Sequence, residues 1–398
     1  MPTLLQINVS ANCGSTGRIA EEIGKRAISS GWRSVIAYGR QAKPSESELV
    51  KIGSQAAFYG HVLESYLLDN HGLGSRWATK ALLDTIDEIK PDIIHLHNIH
   101  GYYISYKLLF EYLTKTQIPV IWTLHDCWSF TGHCSHFLSA NCEKWKTGCY
   151  DCPKKAYYPK TLIDQSKRNY ELKKRLIATH ENMTLVPVCQ WLAYLVSQSM
   201  LKNANVRVIR NGIDLNVFRP KERKEDGLVR ILGVSNVWQE AKGLHDFYAL
   251  REMLDEDRYE ITLVGLTEEQ VKKLPQGIKG ITHTKSVDEL VDYYSAADVF
   301  VNPTYADTFP TTNIEALACG TPVITYNTGG SPEAIDENTG IVVPKGNKEA
   351  LKNAIIEVVS SKENYGRDVC RKRAVENFNK DDRFGDYIEL FNQALKAK

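Results

Sequence analysis

Asp307 and Glu315 stand eight positions apart in the stretch YADTFPTTNIEALACGTPVITYNTGGSPEAI, residues 305–335. Thr308, Phe309 and Pro310 separate the first acid from an expected helix start at Thr311 and Thr312, which would carry Glu315 on its first turn. Unpaired backbone N–H groups and the positive dipole end at such a start suit a phosphate. Glu315 could accept hydrogen bonds from two neighbouring ribose hydroxyls, and Asp307 would lie near the other end of a nucleotide sugar. Gly320 stops the helix, and Gly329-Gly330 makes a second turn before another start at Ser331-Pro332-Glu333. Two acids alone would more often mark an ordinary helix start. The second glycine turn is what favours a ligand site.

Other residue types with chemistry in them follow apolar runs. Lys242-Gly243, after VRILGV, would place a cation against a diphosphate leaving group, although a lone Lys-Gly is also an ordinary loop. Gly14, Ser15, Thr16, Gly17 and Arg18, after LLQINV, would let backbone approach a phosphate or acceptor closely. TLHD puts His125 and Asp126 at a strand end. In HLHNIHG, His95 and His97 read as structural imidazoles within a strand and His100 as a substrate contact beyond it. Arg210 and Asn211, with Phe309, Thr311 and Thr312, complete the expected substrate contacts. Cys134, Cys142, Cys149 and Cys152 fall within nineteen residues, the last two as Cys-x-x-Cys. Four thiolates there would form a closed structural zinc site, with His133 and His136 in reserve; reduced cysteines packed as small apolar groups are the alternative.

The elements that must position these residues alternate between short apolar runs and amphipathic stretches, the pattern of parallel sheets covered by helices. LLQINV, SVIAYG, DIIHLH, PVIWTLH and TLVPVC form one series; VRILGV, YEITLVG, ITHT, DVFVNP, TPVITY and GIVVP form another. The expected fold class is α/β, with two doubly wound, Rossmann-like domains facing across a cleft. Residues 1–210 would form the acceptor-side domain with a Cys-rich insertion at 127–160. Residues 211–375 would form the donor domain, with the seam in 211–228, and 376–398 a last helix crossing back. At 398 residues the chain is long enough for both cores. A net charge of +1 provides no field to recruit nucleic acid. The longest apolar stretch, 185–196, is too short to span a bilayer, and MPTLLQINVS lacks the features of a signal peptide. A cytoplasmic protein with reduced cysteines is expected.

The 305–335 stretch resembles the signature of the retaining nucleotide-sugar glycosyltransferases of family 4, which have the GT-B architecture. The resemblance implies that Glu315 holds the ribose and that Asp307, where the family usually has Glu, binds the donor hexose hydroxyls. It further implies that Lys242 meets the diphosphate and that His125 contacts the donor sugar. Asp126 would be its partner or an acceptor contact. Where the family usually carries Arg this chain has Val237, and Arg18 or Arg210 is the candidate replacement. The implied reaction is front-side transfer of a hexosyl group with retention, requiring no catalytic metal or cofactor. WTLHDCWSFTGHCSHF and WKTGCYDCP are similar to colanic-acid and capsule enzymes, implying a UDP- or GDP-sugar donor and a saccharide or lipid-linked acceptor of a surface polysaccharide. A nucleotide-sugar epimerase and a non-catalytic sugar-nucleotide-binding subunit are the competing readings. Ten Lys/Arg against three acids across 144–175 suit peripheral contact with the anionic inner face of a membrane, or equally a solvated charged helix.

Overall fold

The computed structural model describes residues 1–223 and 226–397. It comprises two units, Met1–Arg210 with Asp381–Lys398, and Asn211–Lys380. Part of the expected seam, residues 224 and 225, lies outside the described residues.

The first unit is built on seven strands: β1 (Thr3–Asn8), β2 (Arg33–Tyr38), β3 (Glu48–Lys51), β4 (Ile93–Leu96), β5 (Val120–Leu124), β6 (Met183–Pro187) and β7 (Asn205–Val206). Their order is β3-β2-β1-β4-β5-β6-β7, and every pairing is parallel. Helices on the faces bury β1, β4 and β5 along their whole length, which is why these strands read as unbroken apolar runs. The edge strands β3 and β7 were not legible in the sequence. One is the mostly exposed ELVK and the other has two residues, as edges that resist further pairing often do.

One face of this sheet is covered by the helix Gly14–Ser29, whose Ile19, Ile23 and Ala27 join Leu4, Ile93 and Ile121 in a cluster completed by Phe384, Tyr387 and Phe391. Those last three belong to the helix Lys380–Lys396, and Thr123 Oγ1 donates to the Tyr387 hydroxyl at 3.0 Å. The chain returns to the first unit at Asp381 rather than 376. Helix Arg367–Phe378 belongs to the second unit, where Phe378 is buried and its carbonyl accepts from Ile213 N–H at 2.7 Å.

The second unit has β8 (Val229–Val234), β9 (Tyr259–Val264), β10 (Ile278–Ile281), β11 (Val299–Asn302), β12 (Val323–Tyr326) and β13 (Gly340–Val343). They pair in parallel in the order β10-β9-β8-β11-β12-β13. Phe247 and Leu250 pack on Ile261, Leu263, Val299 and Ile324 in its core. Strand order reverses between β1 and β4 in one sheet and between β8 and β11 in the other. Loops leaving the carboxyl ends at such points diverge and open a crevice for ligands. Among the described residues, no helix is long and apolar enough to cross a membrane.

Candidate active site

In the second unit, the loops after β8 and β11 carry the acid and the cation. Lys242 ends a 3-10 turn, Glu240–Lys242, and Gly243 follows with φ +75°. A Cβ at Gly243 would lie 2.3 Å from the Pro303 carbonyl oxygen, so only glycine lets the two loops approach this closely. Tyr305 N–H donates to the Ala241 carbonyl at 2.8 Å and Thr304 Oγ1 donates to the same oxygen at 3.3 Å. The clamp brings Lys242 Nζ to 2.5 Å from Asp307 Oδ2, with both side chains partly exposed.

The helix beyond is Thr311–Ala318, with Pro310 before it, and its first turn contains no acid. Glu315 is therefore one turn further in than the sequence suggested. Gly320, with φ +79°, follows the helix, as expected of a stop. One Glu315 carboxylate oxygen accepts from the buried Tyr294 hydroxyl at 2.8 Å. Burial first, and then the Glu315 charge, hold the Tyr294 phenol well above its usual range, so it remains a donor. Thr311 and Thr312 are half-buried at the helix start. Phe309 is 4% exposed and its ring packs 5.9 Å from the Phe378 ring, so its side chain faces the core of the unit. Apolar burial beside the last turn of helix Arg367–Phe378 claims it. Asn211 is likewise buried.

In the first unit, Gly14 opens the first helix with φ +67° and lies exposed with Ser15 and Arg18. Gly17 is buried against Ser10, leaving space for no side chain: a Cβ would meet Ser10 Oγ at 2.8 Å. Asn8, at the end of β1, donates to Ser10 O at 2.9 Å and to Thr16 Oγ1 at 3.4 Å, and it accepts from Asn98 N–H at 3.3 Å. It thereby joins the loops that follow β1 and β4. His100 and Asp126 form a pair at 2.8 Å, and Asp126 also accepts from Trp128 N–H at 2.8 Å. Burial opposes the Asp126 charge, but His100 and the N–H bond outweigh it and hold the carboxyl well below its usual range. His125 bonds instead to His97, 3.2 Å away and stacked upon it, and His97 in turn meets Gln6 at 3.0 Å. Desolvation lowers His125 to about 4, so at neutral pH it offers an uncharged ring. His95 is a buried structural imidazole bonded to Thr123 at 2.8 Å. His97, just beyond β4, is thus the bonding partner of His125, a contact that the HLHNIHG pattern did not reveal. Neither Arg18 nor Arg210 belongs to the unit that carries Lys242, whereas Val237 does and is exposed.

The four cysteines, Cys134, Cys142, Cys149 and Cys152, line one cavity together with His133 and Trp145. None of the nine cysteines is in a disulfide, and among the described residues no three His, Cys, Asp or Glu side chains are assembled as a metal-ligand set. The zinc site expected from their spacing is therefore not borne out by this geometry. The loop also has apolar residues of its own to hold it together. Trp145 is buried, stacked on Phe137 at 4.9 Å and tilted against Phe130 at 5.3 Å, so the loop has an aromatic core of its own. Lys173, buried at 1% exposure, fastens this loop by donating to Trp128 O at 2.5 Å and Thr131 O at 3.0 Å. A further buried bond joins His133 to Asp69 at 2.7 Å, which engages one of the reserve ligands.

The family model for Glycosyltransferase Family 4 matches residues 16–217, just over half of the chain, and the model for glycosyl transferases group 1 matches residues 229–361. The chain belongs to glycosyltransferase family 4. This family 4 glycosyltransferase is 26% identical over 368 residues to the putative colanic acid biosynthesis glycosyl transferase WcaC of Escherichia coli K12, covering 85% of this chain and 87% of that one. It is also 32% identical over 167 residues to a D-inositol 3-phosphate glycosyltransferase of Streptomyces bingchenggensis, over 35% of this chain and 36% of the relative. Among solved structures, sucrose-phosphate synthase from Thermosynechococcus elongatus superposes with a TM-score of 0.72 at 17% identity, covering all of both chains. HepE of Anabaena in complex with UDP-glucose superposes with a TM-score of 0.63 at 13% identity, covering 98% of this chain and 99% of that one. These likenesses establish the GT-B fold of two parallel-sheet, Rossmann-like domains for the family 4 enzyme.

Proposed function

We propose that this glycosyltransferase moves a hexosyl unit, with retention, from a UDP- or GDP-sugar to a saccharide or lipid-linked saccharide acceptor in bacterial surface polysaccharide assembly. The observation that carries the reading is the Lys242–Asp307 pair at the β8/β11 crevice, with Glu315 on the next helix. A diphosphate entering that crevice competes with Asp307 for the Lys242 ammonium. Asp307 is then released to accept from hydroxyls of the donor hexose, while Glu315, held by Tyr294, accepts from the ribose. The bond from the anomeric carbon to the phosphate oxygen breaks as the acceptor oxygen bonds to that carbon on the same face. The departing phosphate oxygen takes the acceptor proton, and Lys242 stabilises its charge. No protein nucleophile enters this scheme. The WcaC relative, named for colanic acid biosynthesis, supports the polysaccharide context, and the HepE complex with UDP-glucose supports a nucleotide-sugar donor.

The test is a panel of UDP- and GDP-sugars, screened first for thermal stabilisation and then for transfer to saccharide acceptors. A linkage whose anomeric configuration matches the donor supports the reading. An inverted linkage, an epimerised nucleotide sugar without transfer, or binding without turnover overturns it.

A further inference from the structure

The helix Gln55–Leu68 is apolar nearly all round, and a large part of that apolar surface faces outward. His61 and Ser65 are its buried residues, whereas Tyr59, Leu63 and Leu67, spaced four apart, face outward at 61%, 58% and 43% exposure. A helix covering a globular core in water shows the opposite arrangement. The inward side mixes rings with polar bonds: Phe58 and His61 both pack edge-on against Tyr102, at 6.0 and 5.7 Å. His61 meets Ser75 at 2.9 Å and accepts N–H bonds from Gly72 and Gly74, each at 3.2 Å. Of the outward stripe, the Tyr59 ring lies edge-on to Phe58 at 5.3 Å, while Leu63 and Leu67 stay more than two-fifths exposed.

The apolar surface continues beyond the helix. Leu162 N–H donates to the Tyr66 carbonyl at 2.8 Å, bringing the exposed Leu162 and Ile163 alongside the helix end. Arg76, bonded to Glu64 at 2.8 Å, places Trp77 at the start of the neighbouring helix, 84% exposed. The charges around this surface are mostly basic, and its two acids are engaged: Asp164, next to Ile163, accepts from Cys152 N–H at 2.7 Å and Ser166 N–H at 2.8 Å. Glu64 is the helix's single acid and is engaged by Arg76 and Asn70. Residues 154–163, KKAYYPKTLI, contain no acid, and Lys155 and Lys160 are exposed, as is Lys167 just beyond. Lys173, counted with the basic residues of 144–175, is buried and adds nothing to the surface.

From this complementarity we propose that the outward face of Gln55–Leu68, with residues 162 and 163, docks on an anionic lipid bilayer. Leucines and aromatic rings enter the boundary between headgroups and acyl chains while lysines lie over the charged headgroups. This goes beyond the transfer reaction and does not depend on it.

Flotation of the full chain with vesicles of phosphatidylcholine, alone and mixed with phosphatidylglycerol, tests the docking. Binding to the mixed vesicles is expected to weaken with salt. Leu63→Glu with Leu67→Glu should reduce it about tenfold or more, with an unchanged melting temperature because both side chains are exposed. Lys155→Glu with Lys160→Glu should remove only the salt-dependent part. Transfer to a soluble acceptor should be unaffected by either pair. Wild-type protein that ignores the vesicles, or a Leu63/Leu67 variant that binds them as well as wild type, overturns the proposal. So does a Leu63/Leu67 variant that turns a vesicle-indifferent dimer into a monomer, since the occupant would then be a second copy of the chain.

Discussion

Replacing Gly243 by alanine tests whether the approach of the two loops, rather than Lys242 alone, makes the donor site work. The new methyl carbon would stand 2.3 Å from the Pro303 carbonyl oxygen and 2.7 Å from Pro303 Cγ. Ordinary contact needs about 1 Å more, so the Lys242 turn must move away from the β11 loop by roughly that amount. Left-handed backbone, at φ +75°, adds about 1–2 kcal/mol of strain for alanine. Misplacing a catalytic group by about 1 Å can cost about a hundredfold in rate, and that loss in kcat is the expectation here. Gly227 supplies the control, because its φ is +83° and nothing lies within 4 Å of a Cβ built there. Gly227→Ala should therefore show only the strain, a fall in melting temperature of about 2–4 °C per kcal/mol for a unit of this size, with normal turnover. The assay is steady-state transfer kinetics with thermal denaturation of both variants. A Gly243→Ala enzyme that turns over like wild type would refute the argument that loop approach positions Lys242.

Glu315→Ala should nearly abolish transfer by weakening nucleotide binding while leaving the fold intact; wild-type UDP or GDP affinity by calorimetry would remove the ribose assignment. Lys242→Ala should lower kcat by about two to three orders of magnitude, as loss of one charge-stabilising group does, and a change confined to KM would reduce Lys242 to a binding role. Tyr294→Phe deletes one hydrogen bond to a carboxylate, worth about 1.5–3 kcal/mol, and should weaken nucleotide affinity without the collapse expected for Glu315→Ala. Acid should destabilise the protein in a defined window. Desolvation lowers His125 and His61 to about 4 and His95 to about 3. The unfolded chain therefore binds these protons first, and stability should fall as pH drops below about 6.5 towards 4. Melting temperatures that are flat between neutral pH and that limit would contradict this.

Most of the parallel sheets could be read from the sequence because strands such as β1 and β5 are buried on both faces and show continuous apolar runs. The failures are local and have physical causes. The expected strand ITHT shares only Ile281 with β10, whose sequence IKGI contains Gly280. A Cβ there would meet the Leu274 Cδ1 at 2.5 Å, so the glycine lets that side chain lie close against the strand. Asp307 and Lys242 were legible through their places after strands, and the clamp between their loops accounts for the pairing. Tyr294 was not, since nothing along its own helix marks a hydroxyl that reaches Glu315. The burial of the Phe309 side chain was not legible either, because its partner in space, Phe378, lies in a helix far along the chain. In the cysteine loop, spacing drew attention to the thiols and away from Phe130, Phe137 and Trp145, which supply its packing.

The membership of helix Lys380–Lys396 in the first unit has a consequence for synthesis. On the ribosome, the second unit, Asn211–Lys380, is fully made before the helix that supplies Phe384, Tyr387 and Phe391 to the first unit's core. The earlier segment must therefore wait with Ile19, Ile23 and Trp32 incompletely covered while its neighbour completes. Closing that core joins residues almost a whole chain apart, the kind of contact that forms late and slowly. The segment that is translated first thus has its core completed by the segment translated last.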